Sequence, residues 1–240
     1  MRRVVVTGAS RGLGRELAIR LAGPDVLMAI VARSAEGLAA TADSLTKKGA
    51  QTPLQIVSDL SIGNQCKEVF ERCEAEFGGA DILINNAAVW EGARFINADP
   101  EEFAGTVSVN LVAPMLLSHY FSKGMVERGG GHLFFIGSTA SFLCAGYSAA
   151  YTASKAGLLG LARTIRTQLR SQGIRVTTIL PGSIASDMAD ATVNDVRIRH
   201  GGRRIPMDDI ASLVETILGI SDMSLVEELY VPAMMDRFGD

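Results

Sequence analysis

Seven short apolar runs, separated by six stretches of helical periodicity, divide this 240-residue chain and limit the folds open to it. The runs predict strands at Arg3–Val6, Val26–Val31, Pro53–Val57, Asp81–Ile84, His132–Gly137, Ile174–Leu180 and Glu227–Val231. Between them a 3.6-residue period predicts helices over Arg15–Ala22, Ala35–Lys48, Ile62–Phe77, Pro100–Arg128, Tyr151–Ser171 and Pro206–Leu218. Gly49 and Gly78-Gly79 stand where two helices should stop, and Pro206 where another should start. Val26–Val31 is apolar at every position, as suits a strand covered on both faces. Strands of that kind alternating with helices specify an α/β fold, a doubly wound parallel sheet of seven strands with helices on both faces. No linker, repeat or low-complexity stretch interrupts the chain, so one domain over residues 1–240 is expected.

A Rossmann-type sheet collects ligands at the carboxyl ends of its strands. Gly8, Ala32, Asp59, Asn85, Ser138 and Pro181 all fall at such ends. The first strand runs into Thr7-Gly8-Ala9-Ser10-Arg11-Gly12-Leu13-Gly14 and then a helix, the setting in which backbone N–H groups meet a pyrophosphate. The same glycines would also serve a plain tight turn. The second strand ends in Ala32-Arg33-Ser34, where proteins selecting NAD place an acid for the ribose 2′-hydroxyl. No acid appears until Glu36; Arg33, and Arg11 from the glycine loop, could instead pair with a 2′-phosphate. The cofactor expected is therefore NADP(H), with NAD(H) the alternative. Asp59, followed by Leu60, could cap the next helix or accept from an adenine amino group. Asn85-Asn86-Ala87-Ala88 puts small residues where a flat ligand could approach the backbone.

Ser138 ends the fifth strand, and Tyr151 and Lys155 lie four apart at the start of a helix. That spacing puts both side chains on one face. A tyrosine hydroxyl titrates near ~10 in water, and a neighbouring ammonium brings it toward the working range. A serine hydroxyl at the same point would donate to a substrate oxygen while the tyrosine exchanges a proton with it, which suits interconversion of an alcohol and a carbonyl. Asn110 sits in an apolar part of the long helix with no capping role, and reads from sequence as a hydrogen-bonded structural residue.

A formal charge of −3 and a pI near 5.7 argue against a nucleic-acid partner. Val4-Val5-Val6 after Met1-Arg2-Arg3 is too short for a signal-peptide core, and Leu111–Leu117 is too short to span a bilayer and contains Pro114. No membrane contact and a cytoplasmic location are expected. Three cysteines show no metal-ligand spacing, so no metal is expected. Cys66 and Cys73 fall on an apolar helical stripe and read as core. Residues 183–206 end in a basic cluster and suggest a lid over a substrate.

With Gly8/Gly12/Gly14, Asp59, Asn85-Asn86-Ala87, Asn110, Ser138, Tyr151 and Lys155 in that order, the chain resembles the short-chain dehydrogenase/reductase family, in its compact single-domain branch. The resemblance implies that Tyr151 is the general acid in reduction, that Ser138 holds the carbonyl, and that Lys155 lowers the tyrosine pKa and bonds the nicotinamide ribose. It implies that Asn110 holds a water linking Lys155 to solvent. Ser10, Leu13, Ser34, Leu60, Asn86 and Ala87 would complete the cofactor's surroundings, and Pro181, Gly182, Ile184 and Ser186 resemble the segment that seats the nicotinamide. Ala88 departs from the usual glycine, and Leu229-Tyr230-Val231-Pro232 resembles the endings of sepiapterin- and carbonyl-type reductases rather than ketoacyl reductases. The expected partner is a small carbonyl or alcohol, with Trp90, Cys144, Tyr147 and Met188 (and by position Phe95 and Phe142) lining an apolar pocket. Relatives associate through their two long helices, so a homodimer or homotetramer is expected. The resemblance implies an NADPH-dependent ketone or aldehyde reductase; the alternatives are an NAD-dependent alcohol dehydrogenase and a non-catalytic dinucleotide-binding sensor or scaffold.

Overall fold

The computed structural model describes residues 1–90, 95–143, 148–185 and 204–234. Seven parallel strands form one sheet: β1 (Arg2–Thr7), β2 (Val26–Ala32), β3 (Leu54–Val57), β4 (Ile82–Asn85), β5 (Gly131–Ile136), β6 (Ile174–Pro181) and β7 (Glu228–Val231). Their order in space is β3-β2-β1-β4-β5-β6-β7. The chain winds outward from β1 to β3 and then returns to place β4 on β1's other side. The crevice between the carboxyl ends of β1 and β4 is thus the point at which the winding reverses.

Adjacent residues on the central strands serve two different cores. Val4 and Val6 pack with Leu13 and Leu17 of α1 (Gly12–Leu21), with Leu38 of α2 (Ala35–Lys47), and with Ile210 and Val214 of the last described helix, Met207–Gly219. Val5, between them, packs on the opposite face with Cys66 and Val69 of α3 (Gly63–Phe77). Phe134 of β5 points to the first core, while Leu133 and Phe135 point to the second. No position on such a strand is left for a polar outward residue, which is why Val26–Val31 carries none. Phe121, Phe134 and Phe135 are fully buried, and truncating a side chain of that size costs about 3–5 kcal/mol.

The predicted helix over Pro100–Arg128 is three pieces. They are α4 (Pro100–Val107), a π-helical turn at Ser108–Val112, and α5 (Ala113–Glu127). Pro114 has no N–H to offer the carbonyl of Asn110, four residues earlier, and the wider turn accommodates its ring. Helix α6 spans Ala149–Leu169, and the Met207–Gly219 helix is α7. Among the described residues no helix is long and apolar enough to cross a membrane.

Candidate functional site

One hydroxyl stitches the floor of the β1–β4 crevice. Thr7 Oγ1 accepts from the backbone N–H groups of Asn86 and Ala87, each at 3.0 Å, and donates to Ile84 O at 3.2 Å. The Asn86 amide returns a bond to Thr7 O at 2.9 Å. Gly8 leaves this floor with φ +69°, and Gly14 packs so closely that a Cβ there would lie 2.2 Å from the Gly8 carbonyl oxygen. Gly12, at φ +58°, has open space where its Cβ would stand. Helix α1 starts at Gly12, three residues earlier than the periodicity predicts, and no side chain caps it. Its first N–H groups are therefore presented toward the crevice, a setting that fits a pyrophosphate. Leu13 is buried in the core, so only its backbone can face a ligand; Ser10 is half-buried and Arg11 exposed. Arg15 fixes the loop from behind, donating to Ser10 O at 2.7 Å and to Thr41 Oγ1 at 3.0 Å.

Arg33 is exposed at the end of β2, while Ser34 spends its hydroxyl oxygen on capping α2 through Gly37 N at 3.0 Å. Asp59 does not cap α3, whose N-cap position is Ile62. Its carboxylate instead accepts from Ser61 N at 3.0 Å and Ser61 Oγ at 2.8 Å. Those two bonds, and the charge of Arg33, hold its pKa below the usual carboxylate range. Leu60 is buried beside it.

Helix α6 is capped by Ser148, whose Oγ accepts from Tyr151 N at 3.0 Å, so Tyr151 lies in the first turn rather than opening the helix. Ser138 follows β5, its Oγ accepting from Ala140 N at 3.1 Å, and its side chain stands beside the Tyr151 hydroxyl. Burial pushes the Tyr151 phenol up, and the Ser138 side chain pulls it back. Lys155 is 2% exposed, with Nζ 5.6 Å from the centroid of the Tyr151 ring, and donates to Ile136 O at 2.8 Å. Burial lowers its pKa to about 8. Asn110 lies in the π turn and is fully buried. Its Oδ1 accepts from Val89 N at 2.8 Å, and its Nδ2 donates to Val89 O at 2.9 Å and to Ser154 Oγ at 3.1 Å. Ser154 in turn donates to Tyr151 O at 2.8 Å. Asn110 thereby ties the segment leaving β4 to the helix of Tyr151 and Lys155.

Pro181 is buried at the end of β6, Gly182 N bonds Val231 O at 2.9 Å, and Ile184 bridges to Ile205, bringing the two described ends of the expected lid together. Trp90 is half-buried beside a groove of about 240 Å³ shared with Val89, Glu102, Gly105 and Thr106. Phe95 stacks on Phe103, and Phe142 packs on Tyr230. Cys144, Tyr147, Ser186 and Met188 lie outside the described residues, as does most of the expected lid. Cys66 and Cys73 are buried core thiols pushed up to about 11 and about 12, unsuited to thiolate chemistry. Among the described residues no cluster of side chains could hold a metal ion. From sequence, Thr7 has no role beyond opening the glycine turn, and Arg15 and Ser154 have none in the site; Ser148, three residues ahead of Tyr151, does carry a capping signal.

Sequence and structure comparisons bear on this arrangement. The family model described as short chain dehydrogenase matches residues 2–197. The 3-oxoacyl-(acyl-carrier-protein) reductase FabG of Escherichia coli is 34% identical over 193 residues, 80% of this chain and 78% of that protein. A metagenomic short-chain oxidoreductase in complex with NADP shares the fold with a TM-score of 0.84 at 32% identity, covering 97% of each chain. L-sorbose reductase from Gluconobacter frateurii, complexed with NADPH and L-sorbose, gives a TM-score of 0.88 at 25% identity, covering 99% of this chain and 97% of that one. With the glycine loop at the β1–β4 crevice and Ser138, Tyr151 and Lys155 beside it, the chain belongs to the short-chain dehydrogenase/reductase family of oxidoreductases, which act on CH–OH and C=O groups.

Proposed function

We propose that this protein is an NADPH-dependent reductase that converts a ketone or aldehyde to an alcohol. The observation that carries the reading is the Ser138–Tyr151 hydroxyl pair with the buried Lys155 ammonium beside the ring. Gly8, Ser10, Gly12 and Gly14 would hold the pyrophosphate, Arg33 and Arg11 a 2′-phosphate, and Asp59, Asn86 and Ala87 the adenosine side. The reduced nicotinamide supplies the hydride; the remaining work falls to the chain. The substrate oxygen would accept from Ser138 Oγ–H and Tyr151 Oη–H, fixing the carbonyl's orientation. As negative charge grows on that oxygen, Tyr151 gives up its proton to it and becomes a phenolate. Lys155, protonated at neutral pH, then faces an opposite charge in a low-dielectric site, where the attraction is strong. That attraction offsets the burial that otherwise keeps the tyrosine neutral. Asn110 and Ser154 hold the first turn of α6 against the β4 exit, so the proton donor does not drift.

The NADP and NADPH complexes among the structural neighbours support the choice of cofactor, together with the absence of an acid before Glu36. The test is to titrate the protein with NADPH and NADH separately and to assay a carbonyl panel. Tighter NADPH binding with turnover, lost in Tyr151→Phe while binding persists, supports the proposal. Tighter NADH binding turns the reading toward alcohol oxidation, and binding without turnover turns it toward a sensor. Val112 and Met115 stand exposed on the π turn and α5, supporting assembly through α5 and α6 as a homodimer or homotetramer. A monomer in sedimentation would refute that assembly.

A further inference from the structure

The turn after β5 makes a second link between the Ser138 strand and the Tyr151 helix. Ser141 closes the 3₁₀ turn Thr139–Ser141, and its hydroxyl donates to the main-chain carbonyl of Lys155 at 3.0 Å. That carbonyl lies one turn along α6 from Tyr151, so the bond spans the two elements that bear the paired hydroxyls. The same turn grips Ser138 twice: Ala140 N donates to Ser138 Oγ at 3.1 Å, and Ser141 N to Ser138 O at 3.0 Å. A serine oxygen that accepts the Ala140 N–H keeps its own proton to give, and the Tyr151 hydroxyl stands beside it. The direction of the Ser138 O–H is therefore set by the turn, and the seat of the turn on α6 by Ser141. On its far side the turn meets β7 through the rings of Phe142 and Tyr230, which are 49% and 41% exposed. A ring contact of that kind restrains distance loosely, whereas the Ser141 bond is directional.

We propose that Ser141 is a positioning residue for carbonyl reduction: its bond to the Lys155 carbonyl holds Ser138 in register with Tyr151, so that the serine proton is aimed at the oxygen of the carbonyl being reduced. Ser141 touches no reacting atom and acts through Ser138. The proposal rests on Tyr151 as the proton donor.

The test compares Ser141→Ala, Ser138→Ala, the double variant and Ser141→Thr in the full chain. Removing one neutral hydrogen bond of this kind lowers kcat about tenfold, with KM for the carbonyl substrate nearly unchanged. In the Ser138→Ala background the same change adds nothing, because the group it positions is gone. Ser141→Thr keeps the hydroxyl and recovers most of the rate. A second readout needs no turnover: the ultraviolet titration of Tyr151, taken as the difference from Tyr151→Phe. In Ser141→Ala its midpoint moves upward, since a bond donated by Ser138 favours the phenolate. An unchanged kcat with an unchanged midpoint overturns the proposal. So does a loss that multiplies with that of Ser138→Ala, which marks a general loosening of α6. If the wild type reduces no carbonyl yet the Tyr151 midpoint still moves, the reaction assignment fails and the positioning role stands.

Discussion

Replacing Lys155 by methionine should make the free protein more stable and leave it nearly inactive. The lysine is 2% exposed, and burial lowers its pKa from 10.5 to about 8. At about 1.4 kcal/mol per pKa unit, keeping it protonated at pH 7 costs the fold about 3 kcal/mol. Methionine removes that penalty and fills similar volume, but leaves the Ile136 carbonyl without its 2.8 Å partner, at about 1 kcal/mol. The net is about 2 kcal/mol of stabilisation, or roughly 4–8 °C in Tm for a chain of this size. The pH dependence carries the sign. Between about 8 and 10.5 the unfolded wild type holds a proton that the folded form has released, so wild-type stability rises with pH across that window. The variant lacks that rise, and its advantage, full below pH 8, fades toward 10.5. Urea denaturation at pH 7, 9 and 10.5 measures the difference. Turnover, assayed alongside, should fall about 100-fold or more. A Lys155→Met protein that is less stable at pH 7, or whose advantage does not shrink with rising pH, would refute the account of a strained buried ammonium.

Gly14→Ala should lower Tm by several degrees and weaken NADPH binding, because the new methyl meets the rigid Gly8 carbonyl at 2.2 Å and overpacking of this kind costs about 1–3 kcal/mol; unchanged melting and affinity would refute it. His132 is buried, stacked on Phe134 and bonded through Nε2 to Thr177 Oγ1 at 2.8 Å. Burial, aided by Arg175, lowers its pKa to about 3. The unfolded chain therefore binds the extra proton, and stability falls as pH drops from about 6.5 toward 3, by about 2 kcal/mol at pH 5. His132→Gln should flatten that acid limb by one proton in urea titrations, and an unaltered slope would count against it. Arg33→Asp should shift the ratio of NADPH to NADH affinity toward NADH by tenfold or more, measured by nicotinamide fluorescence; an unmoved ratio would remove Arg33 from the 2′-phosphate site.

The sheet was legible because its strands carry a signal that tertiary context reinforces: apolar residues at consecutive positions make sense only between two helical layers. Helix boundaries were less so, since they depend on which group satisfies the first N–H groups. Helix α1 begins at Gly12 without a side-chain cap, and α6 begins at Ala149 because Ser148 takes the Tyr151 amide. The π turn had a visible mark in Pro114, yet a proline alone does not say whether a helix will stop, kink or widen. Ser138, Tyr151 and Lys155 could be picked out by residue type and spacing. Asn110 could be picked out only through family resemblance, because its bonds to Val89 join residues 21 apart in sequence. Of the two roles open to Asp59 in the sequence, capping α3 falls away only in the structure, since the short-range competition from Ser61 cannot be weighed without a backbone. The same limit applies to the expected pocket residues Cys144, Tyr147 and Met188, whose positions lie outside the described structure.

The Thr7 seam bears on how a dinucleotide would be received. Its hydroxyl already satisfies two backbone N–H groups at the mouth of β4 and returns its own proton to Ile84, while Asn86 closes the circuit on Thr7 O. That floor is rigid before anything arrives, so none of its ordering entropy is charged against the complex. Association should accordingly run as docking onto a finished surface, with heat-capacity change reporting area covered rather than folding of the crevice. Thr7→Val, which keeps the shape and removes the hydroxyl, would transfer that ordering from folding to binding.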